Sequence, residues 1–396
     1  MGLNIFVMNK LRLLYIFTSG TLSSANNKQW FKLFFQNKNI EVFILINDCP
    51  EEEKETFFAR YNTYYKIIFF KPLKEISQNS LLSRLKYVKS IAHKIDSFAI
   101  DIIHIHGCYY SYPVKTLFFL HSHPKIIYNV WGNDYNTMFF SSLKHRLIIG
   151  YLFRRANLIW TNWFAMANTL KRRFPKSKKI KTIFWGVEKS AFQLPDKKVI
   201  KRVLKKYAID DNDYILLYAK GFTPLNNHLK LLQALALLQP SVGYKLILHS
   251  AKNPEYEKEL RAFIEKKKLI DKVIISHDPL SDEEMKALFH IADLSFVIPE
   301  KDQLSRTITE TIFMGTNLIL SDIEPYRYLN SVYGFDLDLV NVDQPELFAE
   351  TLQHYIDTKP VPDWRYQKTV FKHIFDFEAK ADAYLKIYQD LKRADG

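Results

Sequence analysis

Cysteine is nearly absent from this 396-residue chain, which holds only Cys49 and Cys108. Two cysteines cannot make a disulfide framework, and no Cys-x-x-Cys or Cys/His quartet spacing offers a structural zinc site, so a reduced compartment is expected. Glycine and proline are also sparse, at 11 and 15 residues, which excludes a collagen-like or low-complexity chain. No apolar run reaches the ~18–20 residues of a membrane span; the longest, Leu11–Phe17 and Leu147–Phe153, sit beside basic residues. The opening Met1–Lys10 lacks a signal-peptide cleavage pattern, so the expected location is cytosolic. Acidic residues are scarce in one half only. Residues 1–200 hold 30 Lys and Arg against 12 Asp and Glu, a net +18, whereas residues 201–396 hold 26 against 30, a net −4. A basic half on a near-neutral remainder implies a polyanionic partner, either nucleic acid or an acidic membrane surface.

What the chain does contain is ample core material, 47% hydrophobic residues, ordered as alternating strands and helices. Leu11–Phe17, Glu41–Asn47, Tyr65–Phe70, Ile102–His106, Ile126–Trp131 and Leu158–Thr161 read as buried parallel strands. Ser80–Ile95 reads as a basic amphipathic helix, and a helical stretch spans Ser141–Arg155. After Pro195 the pattern restarts with Tyr214–Tyr218, Tyr244–His249, Lys272–Ser276, Leu294–Ile298 and Asn317–Leu320 as strands. Helices Leu229–Leu238, Glu255–Lys268, Ser281–Ile291 and Thr307–Met314 lie between them, and Ser281 with Glu284 forms a capping box. The tail Gln367–Lys392 reads as helix. The prediction is an α/β protein with two Rossmann-like domains: 1–194, 195–365, and a C-terminal helical segment 366–396 packing back on the first. In such sheets ligands bind at the carboxyl ends of the strands.

The sharpest site signal is the run from Pro299 to Gly315. Asp302 lies in a loop after a strand, and Glu310 lies eight residues later inside the next helix. The loop enters the positive end of that helix, where backbone N–H groups can hold a diphosphate, leaving Glu310 for ribose hydroxyls and Asp302 for the sugar. In the first domain, His104 and His106 share one strand face, so a metal pair or a site-facing His106 is conceivable beside a buried hydrogen-bonded one. Thr18–Thr21, which contains Gly20, with Ser23 and Ser24 forms a strand-to-helix loop able to offer hydroxyls and amides. The basic run Lys171-Arg172-Arg173 with Lys176, Lys178, Lys179 and Lys181 suits either a solvated face or membrane docking.

The Asp302–Glu310 segment resembles the Glu-x7-Glu motif of family 4 glycosyltransferases of the GT-B fold. Other pieces agree in order: Asp101–Gly107 resembles that family's Asp-x-x-His-x-His strand, Trp131-Gly132-Asn133-Asp134 its His-Gly-x-Asp loop, and Gly186-Val187-Glu188 with Phe192 its Asn-Gly-Val-Asp-x-x-x-Phe loop. The resemblance implies transfer from a nucleotide-diphosphate sugar, UDP-sugar being the expected donor, with no metal required. It places the donor in the C-terminal domain, with Glu310 on the ribose and Asp302 and Gln303 on the sugar. The amides of Leu304 and Ser305 would hold the diphosphate with Lys220 or Arg306. Departures are also visible. The family's phosphate-binding Arg and Lys are Gly221 and Asn226 here, so Lys220 or Arg306 is expected to supply the missing charge as a displaced substitute. Its His-Gly-x-Asp histidine is Trp131, which leaves Asp134 or His106 to orient donor or acceptor hydroxyls.

The expected acceptor is a lipid-linked oligosaccharide or a lipopolysaccharide or capsule-type precursor, held by the basic first domain at the inner face of the cytoplasmic membrane. The resemblance implies retention of anomeric configuration. Two alternatives stay open. One is an inverting amino-fucose-type transferase acting on polyprenyl-diphosphate saccharide, suggested by Trp131 and the Asn226-Asn227 pair. The other is a non-catalytic GT-B partner protein. A nucleic-acid binder has no zinc-finger, RRM or KH signature to support it.

Overall fold

The computed structural model describes residues 10–394 except 23, 35–36, 62–64, 72, 79, 109–110, 188, 211, 240 and 251–252, so Ser23 and Glu188 lie outside the described residues. The chain forms two compact units, the first running to Gly186 and resuming at Phe377, the second spanning Val187–Asp376. The borders therefore differ from those expected at 194/195 and 365/366. The stretch after Val187 belongs to the second unit because Phe192 packs on Phe313 at 4.3 Å and the Lys286 ammonium donates to the Ser190 carbonyl. Residues 365–375 join it through Phe371, whose ring lies 5.1 Å from Phe335.

The first unit runs β1 (Leu11–Phe17), α1 (Ala25–Leu33), β2 (Ile40–Asn47), α2 (Glu51–Tyr61), β3 (Tyr65–Phe70), α3 (Leu73–Gln78), α4 (Leu81–Asp96), β4 (Ile102–His106), α5 (Ser111–Lys115), β5 (Lys125–Val130), α6 (Phe139–Ser141), α7 (Leu143–Arg155), β6 (Leu158–Thr161), α8 (Phe164–Arg173) and β7 (Ile180–Thr182). Its strands pair in parallel in the order β3-β2-β1-β4-β5-β6-β7. Runs such as Leu13–Phe17 are buried on both faces, which is why they read as continuous rather than alternating hydrophobicity.

The second unit runs α9 (Lys197–Lys206), β8 (Tyr214–Tyr218), α10 (His228–Leu235), β9 (Tyr244–His249), α11 (Pro254–Lys266), β10 (Val273–Ser276), α12 (Asp282–Ile291), β11 (Leu294–Val297), α13 (Arg306–Met314), β12 (Asn317–Ser321), α14 (Glu324–Tyr333), β13 (Asp338–Val340), α15 (Pro345–Thr358) and α16 (Arg365–Phe375). The sheet order is β10-β9-β8-β11-β12-β13, again parallel. The Ser281–Glu284 capping box starts α12, and Gly315 at φ 85° ends α13 in the left-handed conformation that glycine adopts without steric cost.

The tail is two helices rather than one. Asp376 is extended after α16, and α17 (Ala381–Arg393) belongs to the first unit. There Tyr384 and Tyr388 are buried against Trp30, Trp160 and Tyr15, on the sheet face covered by α1 and α2. The opposite face is covered by α4, α7 and α8 through Val88, Ile91, Ile149, Leu152 and Leu170.

Candidate functional site

In the second unit, the loop after β11 and the loop after β8 are stapled together. The Glu300 amide donates to the Leu225 carbonyl at 2.8 Å, and the Asn227 side-chain amide donates to the Ile298 carbonyl at 2.9 Å. Asn227 itself sits at φ 56°, a conformation asparagine tolerates better than most residues. His228, at the start of α10, is enclosed by Tyr218 and Phe222, with the Lys220 and Thr223 carbonyls beside it; burial pushes its imidazole down to about 4, so it is neutral.

This stapling brings Lys220 to the start of α13. Its ammonium donates to the Ser305 hydroxyl at 2.6 Å and lies 3.7 Å from the Asp302 carboxylate. Asp302 also accepts from the Gln303 amide at 2.7 Å and from the Tyr326 hydroxyl at 2.8 Å. Tyr326, on α14, is fully buried; burial and then the Asp302 charge hold its phenol far above the usual range, so it donates as a neutral O–H. Ser305 occupies the N-cap of α13 without capping it, its hydroxyl being engaged by Lys220. The positive end of a nine-residue helix therefore opens beside an ammonium, the arrangement that receives an anion.

One turn along α13, Arg306 Nε donates to Glu310 Oε1 at 2.7 Å. Of the two cations considered as phosphate ligands, Lys220 is the one joined to the Asp302 loop, and Arg306 is bonded to Glu310. Gln303 and Ser305 are buried, while Leu304 is partly exposed. Asn226 donates to the Gly221 carbonyl at 2.6 Å, so this asparagine shapes its own loop. Tyr326 carried no sequence signal: it follows Glu324-Pro325 at an ordinary helix start and reaches Asp302 only through the β11–α13 and β12–α14 connections meeting.

The first-unit candidates correct the reading made from sequence. His106 is completely buried, stacked on Phe17 at 4.6 Å and on His104 at 4.2 Å, with Trp30 also 4.6 Å away. Burial and the neighbouring His104 push its imidazole well below the usual range, and both ring nitrogens are shielded from solvent. It is a core residue, not a site-facing one. His104 likewise bonds the Tyr388 hydroxyl at 2.8 Å, and burial pushes it down to about 3. Among the described residues no group of three or more His, Cys, Asp or Glu side chains converges as a metal site.

Asp134 is also fully buried. It accepts from Tyr128 Oη at 2.8 Å, the Gly132 amide at 2.9 Å and the Tyr135 amide at 3.1 Å, which ties the turn after β5. Burial raises its carboxyl to about 6 against the pull of these donors. Enclosed in this way, Asp134 presents no oxygen to a ligand. Gly20, at φ 73°, is exposed in the loop after β1, which Asn27 and Asn47 hold through the Ser19, Gly20 and Thr21 carbonyls. Trp131 is half-buried and lies 5.2 Å from Trp185.

Residues 199–363 match the family model described as glycosyl transferases group 1, and residues 16–162 match the one described as glycosyl transferase 4-like. No curated protein sequence shows significant similarity to the chain. Among solved structures, HepE of Anabaena in complex with UDP and glucose aligns at a TM-score of 0.77 and 14% identity, over 96% of this chain and 100% of its own. Sucrose-phosphate synthase of Thermosynechococcus elongatus aligns at 0.75 and 14% identity, over 97% and 100%. The lipopolysaccharide outer core galactosyltransferase WaaB, in its apo form, aligns at 0.63 and 14% identity, over 94% and 99%. With one family model matched on each parallel-sheet unit and the fold shared over nearly the whole chain, this protein belongs to the GT-B glycosyltransferases of the group 1, family 4-like kind.

Proposed function

We propose that the chain transfers a sugar from a nucleotide-diphosphate sugar, with UDP-sugar as the donor, to a lipid-linked oligosaccharide or a lipopolysaccharide or capsule-type acceptor, with retention of configuration and without a metal. The observation that carries this reading is the Lys220 ammonium between Ser305 and Asp302 at the open end of α13. A donor diphosphate would take Lys220 together with the amides of Leu304 and Ser305, since an ammonium and oriented N–H groups complement the charge that develops on the leaving group. Asp302, fixed by Tyr326, and Gln303 would meet sugar hydroxyls; Glu310, steadied by Arg306, would meet the ribose. The solved complexes of HepE with UDP and with UDP-glucose support a UDP donor, and the WaaB description supports an acceptor of the lipopolysaccharide kind.

The acceptor would be held by the basic first unit. With His106 and Asp134 enclosed, the simplest chemistry is a front-face substitution. The acceptor oxygen bonds to the anomeric carbon as the bond to the diphosphate oxygen breaks, and the hydroxyl proton passes to that departing oxygen. The rate then comes from charge stabilisation and positioning. Peripheral attachment to the inner face of the cytoplasmic membrane is part of this reading. No described helix is long and apolar enough to cross a membrane.

Thermal stabilisation by UDP, GDP, TDP, ADP and CMP, each in EDTA, tests the donor. A selective shift with UDP is expected, because a ligand at ~100 times its Kd adds about 2.7 kcal/mol. No shift with any of them from a folded sample would instead favour a non-catalytic partner protein. Trp131 in place of the family histidine favours the inverting amino-fucose type as second reading, and NMR of the product's anomeric centre separates the two.

A further inference from the structure

On the first unit, two helices carry apolar side chains on their outer as well as their inner faces. In α4, Val88, Ile91 and Ile95 enter the core, yet Leu81, Leu82 and Leu85 are exposed, the first two by 72% and 64%. In α7, Ile148, Ile149 and Leu152 enter the core, yet Leu143 and Leu147, one turn apart, are exposed by 69% and 60%. A leucine stripe facing water on each of two helices of one sheet face is more than the scattered apolar exposure of an ordinary surface.

The two helices are linked by the segment between them. Lys89 of α4 lies 5.4 Å over the Phe119 ring, Phe118 lies 4.3 Å from Tyr151 of α7, and Lys115 of α5 and Lys144 of α7 lie 4.3 and 5.7 Å from one Tyr112 ring. Partial burial lowers the Lys115 ammonium against the opposing pull of Tyr112, and Lys144 with Arg84 of α4 add to the lowering, so three cations from three elements share one neighbourhood around the Tyr112 ring. Cations predominate on this face, although α3, which joins it through Ile76, adds the exposed Glu75. Helices α4, α5, α7 and α8 carry twelve Lys and Arg and one acid, Asp96. That carboxylate, at the far end of α4, accepts from the His121 and Ser122 amides. Beside Leu147, a cavity of about 450 Å³ walled by Phe139, Phe153 and Phe174 with Arg146 and Arg154 continues the apolar surface inward.

We infer that the α4–α5–α7 face docks on an anionic phospholipid bilayer, its exposed leucines entering the interfacial layer and Arg84, Lys115 and Lys144 binding lipid phosphate oxygens. This rests on the membrane reading above and assigns the surface that performs it. The candidate expected from sequence is the basic run beginning at Lys171. In the structure one of its members is already engaged within the fold, since Lys179 donates to the Arg154 and Ala156 carbonyls at the end of α7. That run also lacks exposed leucines. Charge selects the occupant: a second copy of the chain would set like charge against like, whereas lipid phosphates complement the cations while acyl chains cover the leucines.

Co-sedimentation of the full chain with phosphatidylcholine vesicles, with and without phosphatidylglycerol, tests this. Wild type is expected on the anionic vesicles only. The combined variant Leu81→Ser, Leu82→Ser, Leu143→Ser, Leu147→Ser should bind at least tenfold more weakly. Arg84→Gln, Lys115→Gln, Lys144→Gln should lose about fivefold per cation, with a shallower salt dependence. A third variant, Lys171→Gln, Arg172→Gln, Arg173→Gln, should lose less than the second. If wild type binds no vesicle, the membrane reading itself fails. If wild type binds, both α4–α5–α7 variants bind equally well and the α8 variant does not, the membrane reading stands and this face is the wrong one. Melting curves check folding, and the single variants Leu143→Ser and Leu81→Ser keep the comparison should the combined one unfold.

Discussion

The Asp302 carboxylate is held from three directions, by the Gln303 amide, the Tyr326 hydroxyl and the Lys220 ammonium. Removing one partner from such a set costs more than the net strength of the bond it made, because a polar atom is left without its complement. Tyr326→Phe deletes one partly buried charge-assisted hydrogen bond and is expected to lower stability by about 1.5–3 kcal/mol, read from urea midpoints. Lys220→Met keeps the stem and removes the charge at the mouth of α13. It should weaken UDP binding at least tenfold by calorimetry, while Lys301→Met, in the same loop but exposed, should leave it unchanged. At this scale the candidate site was legible where its residues are neighbours along the chain. Asp302, Ser305, Arg306 and Glu310 are spaced as one loop and one helix. Tyr326 was not legible, because its hydroxyl meets Asp302 across 24 residues that only folding removes. The enclosure of His106 was not legible either. A histidine at a strand end looks the same in sequence whether Trp30 of α1 covers it or not.

Among the elements, the link between chain crossing and glycine is the most exacting. An added Cβ at Gly186 would lie 2.4 Å from the Phe377 Cα and 2.5 Å from its nitrogen, so backbone rather than a pliable side chain obstructs it. Gly186→Ala is expected to cost about 3 kcal/mol or more, seen as a lowered melting temperature of the full chain. The neighbouring Val187 amide donates to the Phe375 carbonyl at 2.7 Å within the second unit, which places the borders of both units at adjacent residues. Strand and helix positions followed closely from periodicity, because parallel strands buried on both faces appear as unbroken apolar runs. The tail departed from that rule: its helical period continues through Asp376, yet the backbone there is extended and α17 packs on a different unit from α16.

For the molecule as a whole, buried titratable groups set the response to acid. His104 and His228 are pushed down to about 3 and about 4, and His106 well below the usual range, by burial first in each case. The unfolded chain takes up protons at these imidazoles near pH 6.5 while the folded chain does not, so their contribution is present above that pH and is withdrawn as pH falls toward 4 and below. For His228 the full withdrawal amounts to roughly 3 kcal/mol. Asp134 acts in the opposite sense. Its carboxyl, raised to about 6, binds a proton in the folded state before the unfolded chain does near 3.8, so acidification through this window returns stability. Three histidines against one aspartate predict a net loss between pH 6.5 and 4, read as falling urea midpoints. Asp134→Asn, which removes the opposing group, should make the fall steeper.

By itself, the amino-acid order determined the two parallel-sheet units, the basic character of the first half, and the loop-and-helix carrying Asp302 and Glu310. Each of these is a property of neighbouring residues: apolar runs, charge density and spacing along one segment. Only the tertiary structure decided which cation reaches the Asp302 loop, which histidines are core, where the units divide and which leucines face outward. Those outcomes depend on what covers a side chain, and the covering element lies tens to hundreds of residues away, as Tyr388 does from His104.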